Sequence, residues 1–287
     1  MIDLRPVGYV LGLLVMMIGL SMLVPMAADL LARNGHWSTF AEAAIVTALA
    51  GLFLTIGCAG SRRQGLNLRE TFLMTTGVWL VLPLFAALPF LFADMQISVV
   101  DAIFEAMSGM TTTGSTVLDG LDDLPVGLNL WRALTQWYGG IGIIVVAMVF
   151  LPELRVGGMQ IFRSEGFDTM GKILPRAAEI ASRISVIYLA LTVLCGLTYA
   201  ALGMPNFDAI MHAMTTVATG GFSSHDESFR LYQGPMEYAA AGFMILASLP
   251  FVRFVQLIAG SAQPLFRDSQ VRAYLATILT IVVAIAG

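Results

Sequence analysis

The 287 residues are 57% hydrophobic and only 12% charged, with a mean hydropathy of +0.82 and a formal net charge of −4. Soluble domains are nearer one quarter charged, so this composition selects lipid as the main solvent and excludes an ordinary water-soluble domain. The small net charge offers no footprint for nucleic acid, and Cys58 and Cys195 sit inside apolar runs, which sets aside a disulfide framework.

Apolar runs at 6–31, 40–59, 71–92, 131–151, 184–202 and 236–255 each approach the roughly 20 residues that a helix needs to cross a bilayer. The first is too long for a signal-peptide core and lacks a clear small-residue cleavage site, so it reads as an uncleaved span. A seventh run, 273–287, reaches the last residue short of a full crossing, and the expectation is the N-terminal part of something longer. Pro25, Pro83 and Pro89 fall within spans and are expected to kink them. Alternating crossings put 12 of the 15 basic residues on the side of the N-terminus, leaving Arg33, Arg132 and Arg230 on the other. That bias assigns the first side to the cytoplasm. Twelve of the 19 acids go to the outer side, where they would concentrate cations at an entrance.

Two outer connections are neither loop nor span. Residues 101–116 read DAIFEAMSGMTTTGST and residues 208–223 read DAIMHAMTTVATGGFS. Shifted by 107 residues, the segments coincide at Asp, Ala, Ile, Ala and Met, and Gly114 falls on Gly221. Such self-similarity marks an internal repeat. In each copy an Asp, expected as N-cap, opens about ten small and apolar residues, too short to span. A Thr- and Gly-rich stretch follows. The pattern predicts a half-helix dipping into the membrane and returning as extended backbone, which survives at that depth only where it is buried in protein or lines a water-filled cavity. Carbonyl oxygens there would replace the water shell of a weakly hydrated monovalent cation. Gly114 and Gly221 supply φ > 0, and Thr111, Thr112, Thr113 and Thr219 supply hydroxyls. The expected ion-filter residues are thus Thr111, Thr112, Thr113, Gly114, Ala218, Thr219, Gly220 and Gly221, with potassium at Thr112, Thr113, Thr219 and Gly220. Glu105 and His212, at one repeat position, are expected to hydrogen-bond behind the filter, with pH sensing by His212 a weaker alternative.

In the fourth span Gly139 and Gly140, with Gly142, are expected to pack against the pore loop. Trp131 and Trp137 read as interfacial belt residues. Arg132 should snorkel or pair with an external acid, and Arg253 should reach lipid headgroups. His36, His212 and His225 lack metal-ligand spacing, and no nucleophile elbow or phosphate loop is visible, so an enzyme is not expected.

Met-Thr-Thr-Thr-Gly-Ser-Thr at 110–116, WRALTQWYGGIGIIV at 131–145 and Ala-Thr-Gly-Gly-Phe-Ser at 218–223 together resemble the Trk/Ktr/HKT superfamily, most nearly its bacterial Trk-type potassium-uptake membrane subunits. The resemblance covers the whole chain. It implies an all-α polytopic membrane protein with repeated helix–pore loop–helix units behind two leading helices. On that scheme residues 1–65 are the leading pair, 66–155 the first repeat, 156–265 the second with its preceding cytoplasmic loop, and 266–287 the start of a third. Gly114 and Gly221 become the filter glycines of two repeats out of the family's four. Glycine rather than serine at the first favours potassium. The family further implies a cytosolic nucleotide-binding regulatory subunit, for which Arg155, Arg163, Lys172 and Arg176 are candidate contacts, anchoring at the membrane surface being an equal explanation of those charges, and dimerisation of the full-length form. The expected function is potassium uptake across the bacterial inner membrane through a channel-like pore, this chain supplying half of it and needing no cofactor besides the permeant ion. A secondary cation transporter coupled to H+ or Na+, with its site on discontinuous helices, and a non-conducting structural subunit stand as alternatives.

Overall fold

The computed structural model describes residues 4–60, 68–154 and 173–286. Arg62, Arg63, Arg155, Arg163 and Lys172, and the Arg176 side chain, lie outside the described residues. Regular structure among the described residues is entirely helical.

α1 (Arg5–Ser21) and α2 (Leu23–Ala32) form one apolar span of 28 residues with a step at Met22. Pro25 explains the step, because it has no N–H to give the Ser21 carbonyl. α3 (Trp37–Cys58) returns along α1. The two backbones come close because small residues face each other. A Cβ at Gly12 would stand 2.5 Å from Thr55 Oγ1, and one at Gly51 would stand 2.5 Å from the Met16 nitrogen.

α4 (Leu68–Ala86) and α5 (Leu88–Phe92) make the third span. Pro89 sits in the first turn of α5, and there Phe90 N–H bonds the Ala87 carbonyl at 3.1 Å instead of Ala86. The Ala86 carbonyl so released accepts the Trp131 indole N–H at 2.9 Å. Trp131 is fully buried, which corrects its assignment to an interfacial belt. Trp137 likewise turns inward and donates to Thr192 Oγ1 at 3.0 Å.

The short α6 (Val99–Met110) precedes the long α7 (Val126–Leu154), and α8 (Ile173–Ala201) precedes the short α9 (Asn206–Val217). Twelve residues give about 18 Å of helix, well short of a hydrocarbon core of roughly 30 Å. These are the half-helices of the two repeats.

The predicted single span at 236–255 is corrected. α10 (Pro235–Ala247) and α11 (Phe251–Ile258) meet at 88°. Pro250 cannot donate to continue α10 and biases Leu249 away from helical geometry. α12 (Gln263–Arg267) and α13 (Ser269–Ala286) complete the described chain. Arg253 on α11 does not reach outward but grips Asp268 Oδ2 through Nε and Nη2, both at 2.7 Å.

Two hydrophobic clusters hold these elements. The first gathers α1 to α7 around Val15, Phe40, Phe90 and Trp131, and it also takes Met211 and Met214 from α9. The second gathers α8, α9 and α11 around Ile184, Tyr188, Tyr199 and Phe251. Since α9 contributes to both, the second half-helix is packed into the first repeat.

Candidate functional site

Each half-helix begins differently from expectation. Ser98, not Asp101, is the N-cap of α6, and Asp101 lies three residues on. Ser98 Oγ accepts the Asp101 N–H at 3.1 Å while the Ser98 N–H donates back to Asp101 Oδ2 at 3.2 Å. This is a capping box. α9 is preceded by Pro205, and Asp208 again stands in the first turn rather than at the cap. Its carboxylate is spent on the returning chain, accepting from Ser224 Oγ at 2.6 Å and from the Tyr232 hydroxyl at 2.8 Å.

The two helix ends are built identically. Past α6, Thr112 N–H bonds the Gly109 carbonyl and Thr113 N–H the Ser108 carbonyl, both at 2.9 Å. Past α9, Thr219 N–H bonds the Thr216 carbonyl at 3.0 Å and Gly220 N–H the Thr215 carbonyl at 2.9 Å. Each is a Schellman ending, whose left-handed position is ordinarily glycine. Here it is Thr112 (φ 55°) and Thr219 (φ 54°). A β-branched residue in that region is strained, and strain of this kind gathers at functional sites. Two residues further, Gly114 (φ 80°) and Gly221 (φ 85°) return to positive φ. The backbone therefore reverses handedness twice within three residues in both copies. Sequence reasoning anticipated positive φ at the glycines but expected only hydroxyls of Thr112 and Thr219, although these two also coincide in the repeat.

The loops touch each other. A Cβ at Gly114 would overlap the Gly220 carbonyl oxygen, so the first glycine's missing side chain is the space the second loop's carbonyl occupies. Gln136 from α7 lies beside both and accepts the Phe222 N–H at 3.1 Å through Oε1. Around them α7 is bare. A Cβ at Gly139 would overlap the Met110 carbonyl, and one at Gly140 would sit 3.1 Å from Ala218 Cα. Thr111 Oγ1 bonds the Met107 carbonyl at 2.8 Å and Thr113 Oγ1 at 2.7 Å, and Thr219 Oγ1 bonds the Ala218 carbonyl at 2.7 Å.

Behind the loops, Glu105 and His212 hold equivalent residues. Glu105 accepts the Thr116 hydroxyl at 2.9–3.0 Å and the Val117 N–H at 3.1 Å. His212 donates from Nδ1 to the Asp208 carbonyl at 2.8 Å, and its Nε2 shares a hydrogen bond with the Ser223 hydroxyl at 3.0 Å. Glu105 is also paired with Arg132 Nε at 2.8 Å, both side chains being fully buried. Arg132 thus pairs with an acid, as expected of it, but inside the protein. The Glu105 carboxylate is thereby matched by a buried positive charge. Among the described residues no group of three or more His, Cys, Asp or Glu could hold a metal ion.

Further out, the returning strands clasp each other. Asp226 accepts the Gly120 and Leu121 N–H groups at 3.0 Å, and Asp122 accepts the Asp226 N–H at 3.1 Å. His225 bridges Asp122 through Nδ1 and approaches Asp208 Oδ1 through Nε2 at 3.4 Å. Burial lowers the His225 pKa, but the hydrogen bonds to Asp122 and Asp208 outweigh it and hold the imidazole above its ordinary value. The His225 hydrogen bond and the Asp226 N–H in turn hold Asp122 below the usual carboxylate range.

Residues 36–284 match the family model for TrkH, described as a cation transport protein. The chain is 42% identical over 218 residues to the Trk system potassium uptake protein TrkI of Halomonas elongata, covering 75% of this chain and 44% of that protein. It is 39% identical over 285 residues to the Trk system potassium uptake protein TrkH of Salmonella typhimurium, covering 97% and 59%. The crystal structure of the potassium transporter TrkH from Vibrio parahaemolyticus superposes with a TM-score of 0.85 at 34% identity, covering 96% of this chain and 56% of that one. The chain spans about half the length of the curated relatives it matches.

Proposed function

The chain belongs to the TrkH family of cation transport proteins, and from that membership we propose that it contributes two pore loops to a channel-like pathway for potassium uptake. The selectivity filter on this reading comprises Thr111, Thr112, Thr113 and Gly114 in the first loop and Ala218, Thr219, Gly220 and Gly221 in the second, with potassium held at Thr112, Thr113, Thr219 and Gly220. One observation carries the reading. Two segments related by the internal repeat take the same twice-reversed backbone and meet where the Gly220 carbonyl fills the space beside Gly114. Backbone that departs from helix at membrane depth needs a reason, and lining an ion path is the one best attested.

The domain scheme follows: leading helices at 1–65, repeats at 66–155 and 156–265, and the opening of a further unit at 266–287. Glu105, His212, Gly139 and Gly140 support the loops. The basic bias of the sequence supports a cytoplasmic N-terminus, and the likeness to bacterial Trk proteins supports the bacterial inner membrane. A cytosolic nucleotide-binding regulatory subunit and a homodimer are the proposed partners. They rest on family resemblance alone.

Gly114→Ser and Gly221→Ser, made in the intact transport protein that carries this chain and scored by growth at limiting potassium, test the proposal. Growth or selectivity should fall in both. Undiminished uptake with unaltered selectivity in the pair would refute a filter at these glycines.

A further inference from the structure

We propose that Arg132 is a specificity-determining positioning residue, a cross-brace that sets the spacing between the two loops; this rests on the filter reading above. One guanidinium reaches both returning limbs at matching distances past the glycines. Nε binds Glu105 at 2.8 Å, and Glu105 in turn pins Thr116, two residues beyond Gly114. Nη1 takes the Ser223 carbonyl at 2.6 Å, two residues beyond Gly221. Asn129 steadies Nη1 from one turn away at 3.3 Å, and the Phe222 ring lies under the guanidinium carbon at 4.4 Å. The planar fork is therefore held on its edge and on its face.

Stability alone does not explain this arrangement. A buried ion pair gains little over well-packed apolar side chains. What it supplies here is distance. Of the links between the loops, the outer clasp of Asp122, His225 and Asp226 is partly open to water. The glycine–carbonyl contact has no directional bond. The Arg132 brace is dry, charge-assisted and planar. A filter that discriminates by its carbonyl cage must resist closing around a smaller ion, and a rigid brace two residues from each glycine opposes that closure. The second repeat does not duplicate these two residues at the same shift: 107 residues on from Arg132 and Gln136, α10 carries Ala239 and Phe243.

The test is Arg132→Lys in the intact transport protein, reconstituted in vesicles, with potassium and sodium flux measured separately. Lysine keeps the charge opposite Glu105 but lacks the fork that also reaches the Ser223 carbonyl. The potassium-to-sodium flux ratio should fall about tenfold, the worth of one charge-assisted hydrogen bond, with the change carried by relatively greater sodium flux. An unchanged ratio, or proportional loss of both fluxes, overturns the proposal. Should R132K not accumulate in membranes, Asn129→Ser removes the support of Nη1, together with the Asn129 bond to the Leu121 carbonyl, while leaving Glu105, Gly114, Gly221 and the Ser223 carbonyl in place. A fall of a few fold in the ratio is then expected, and an unchanged ratio is again fatal. Absence of potassium preference in the unmodified protein would instead overturn the filter reading itself.

Discussion

Thr112 and Thr219 hold the same left-handed backbone, φ 55° and 54°, at the same step beyond their half-helices. The shared position is one that glycine would occupy without strain. The left-handed region costs a non-glycine residue roughly 1–2 kcal/mol, offset in part by glycine's greater unfolded-state freedom.

Thr112→Gly and Thr219→Gly should therefore leave stability unchanged or raise it by up to about 1 kcal/mol, while ion selectivity declines. Thermal midpoints in detergent, set beside flux ratios, check both halves. A clear drop in midpoint would mean that the threonines are not strained.

Gly114 and Gly221 should differ in tolerance. At Gly114 a methyl group meets the Gly220 carbonyl oxygen, whereas at Gly221 it meets nothing within 4 Å and only the φ of 85° opposes it. Gly221→Ala should cost about 1–2 kcal/mol. Gly114→Ala should cost that plus an overpacking penalty of roughly 1–3 kcal/mol. Equal losses in denaturation of the paired variants would contradict the contact between the loops.

Glu105 and His212 share a repeat position but not a kind of partner. Removing the buried Glu105 carboxylate strands Arg132, and Glu105→Ala should cost about 3–5 kcal/mol. His212 bonds through Nδ1 to a carbonyl and through Nε2 to a hydroxyl, neither of them charged. His212→Ala should cost nearer 1–3 kcal/mol. Comparable unfolding midpoints for the two would indicate that Arg132 finds another partner.

The outer clasp should respond to pH from both sides. The folded pKa of His225 is raised, so its contribution is complete below about 6.5 and lost as pH rises through the higher folded value. The folded pKa of Asp122 is lowered, so its contribution is complete above about 3.9 and lost as pH falls through the depressed value. Asp208 and the Tyr232 hydroxyl, 3.3 Å from Nε2, complete the surroundings of His225. Thermal stability should decline as pH rises above 6.5, and His225→Gln should flatten that slope. A slope that survives the substitution would place the titration elsewhere.

Much of this architecture was legible in the chain. Apolar runs of bilayer length predict where helices form, because lipid admits only internally bonded backbone. The repeat predicts two half-helices, and Gly114 and Gly221 predict positive φ, because both are local consequences of composition and length. Misreadings arose where the outcome depended on a distant partner. Trp131 has the sequence signature of a belt residue, but Pro89 frees a carbonyl 45 residues away that the indole captures. The run at 236–255 is apolar throughout, and hydropathy does not register the missing donor of Pro250.

The sequence by itself determined that this is a helical membrane protein with two related dipping segments, since periodicity, length and glycine placement act within a few residues of chain. Only the tertiary structure decided that Arg132 joins Glu105 to the Ser223 carbonyl, 27 and 91 residues away, and that the Gly220 carbonyl lies against Gly114. Such pairings are chosen by low-dielectric burial, where a charge or carbonyl must find a partner wherever packing brings one, and no spacing rule along the chain encodes that choice.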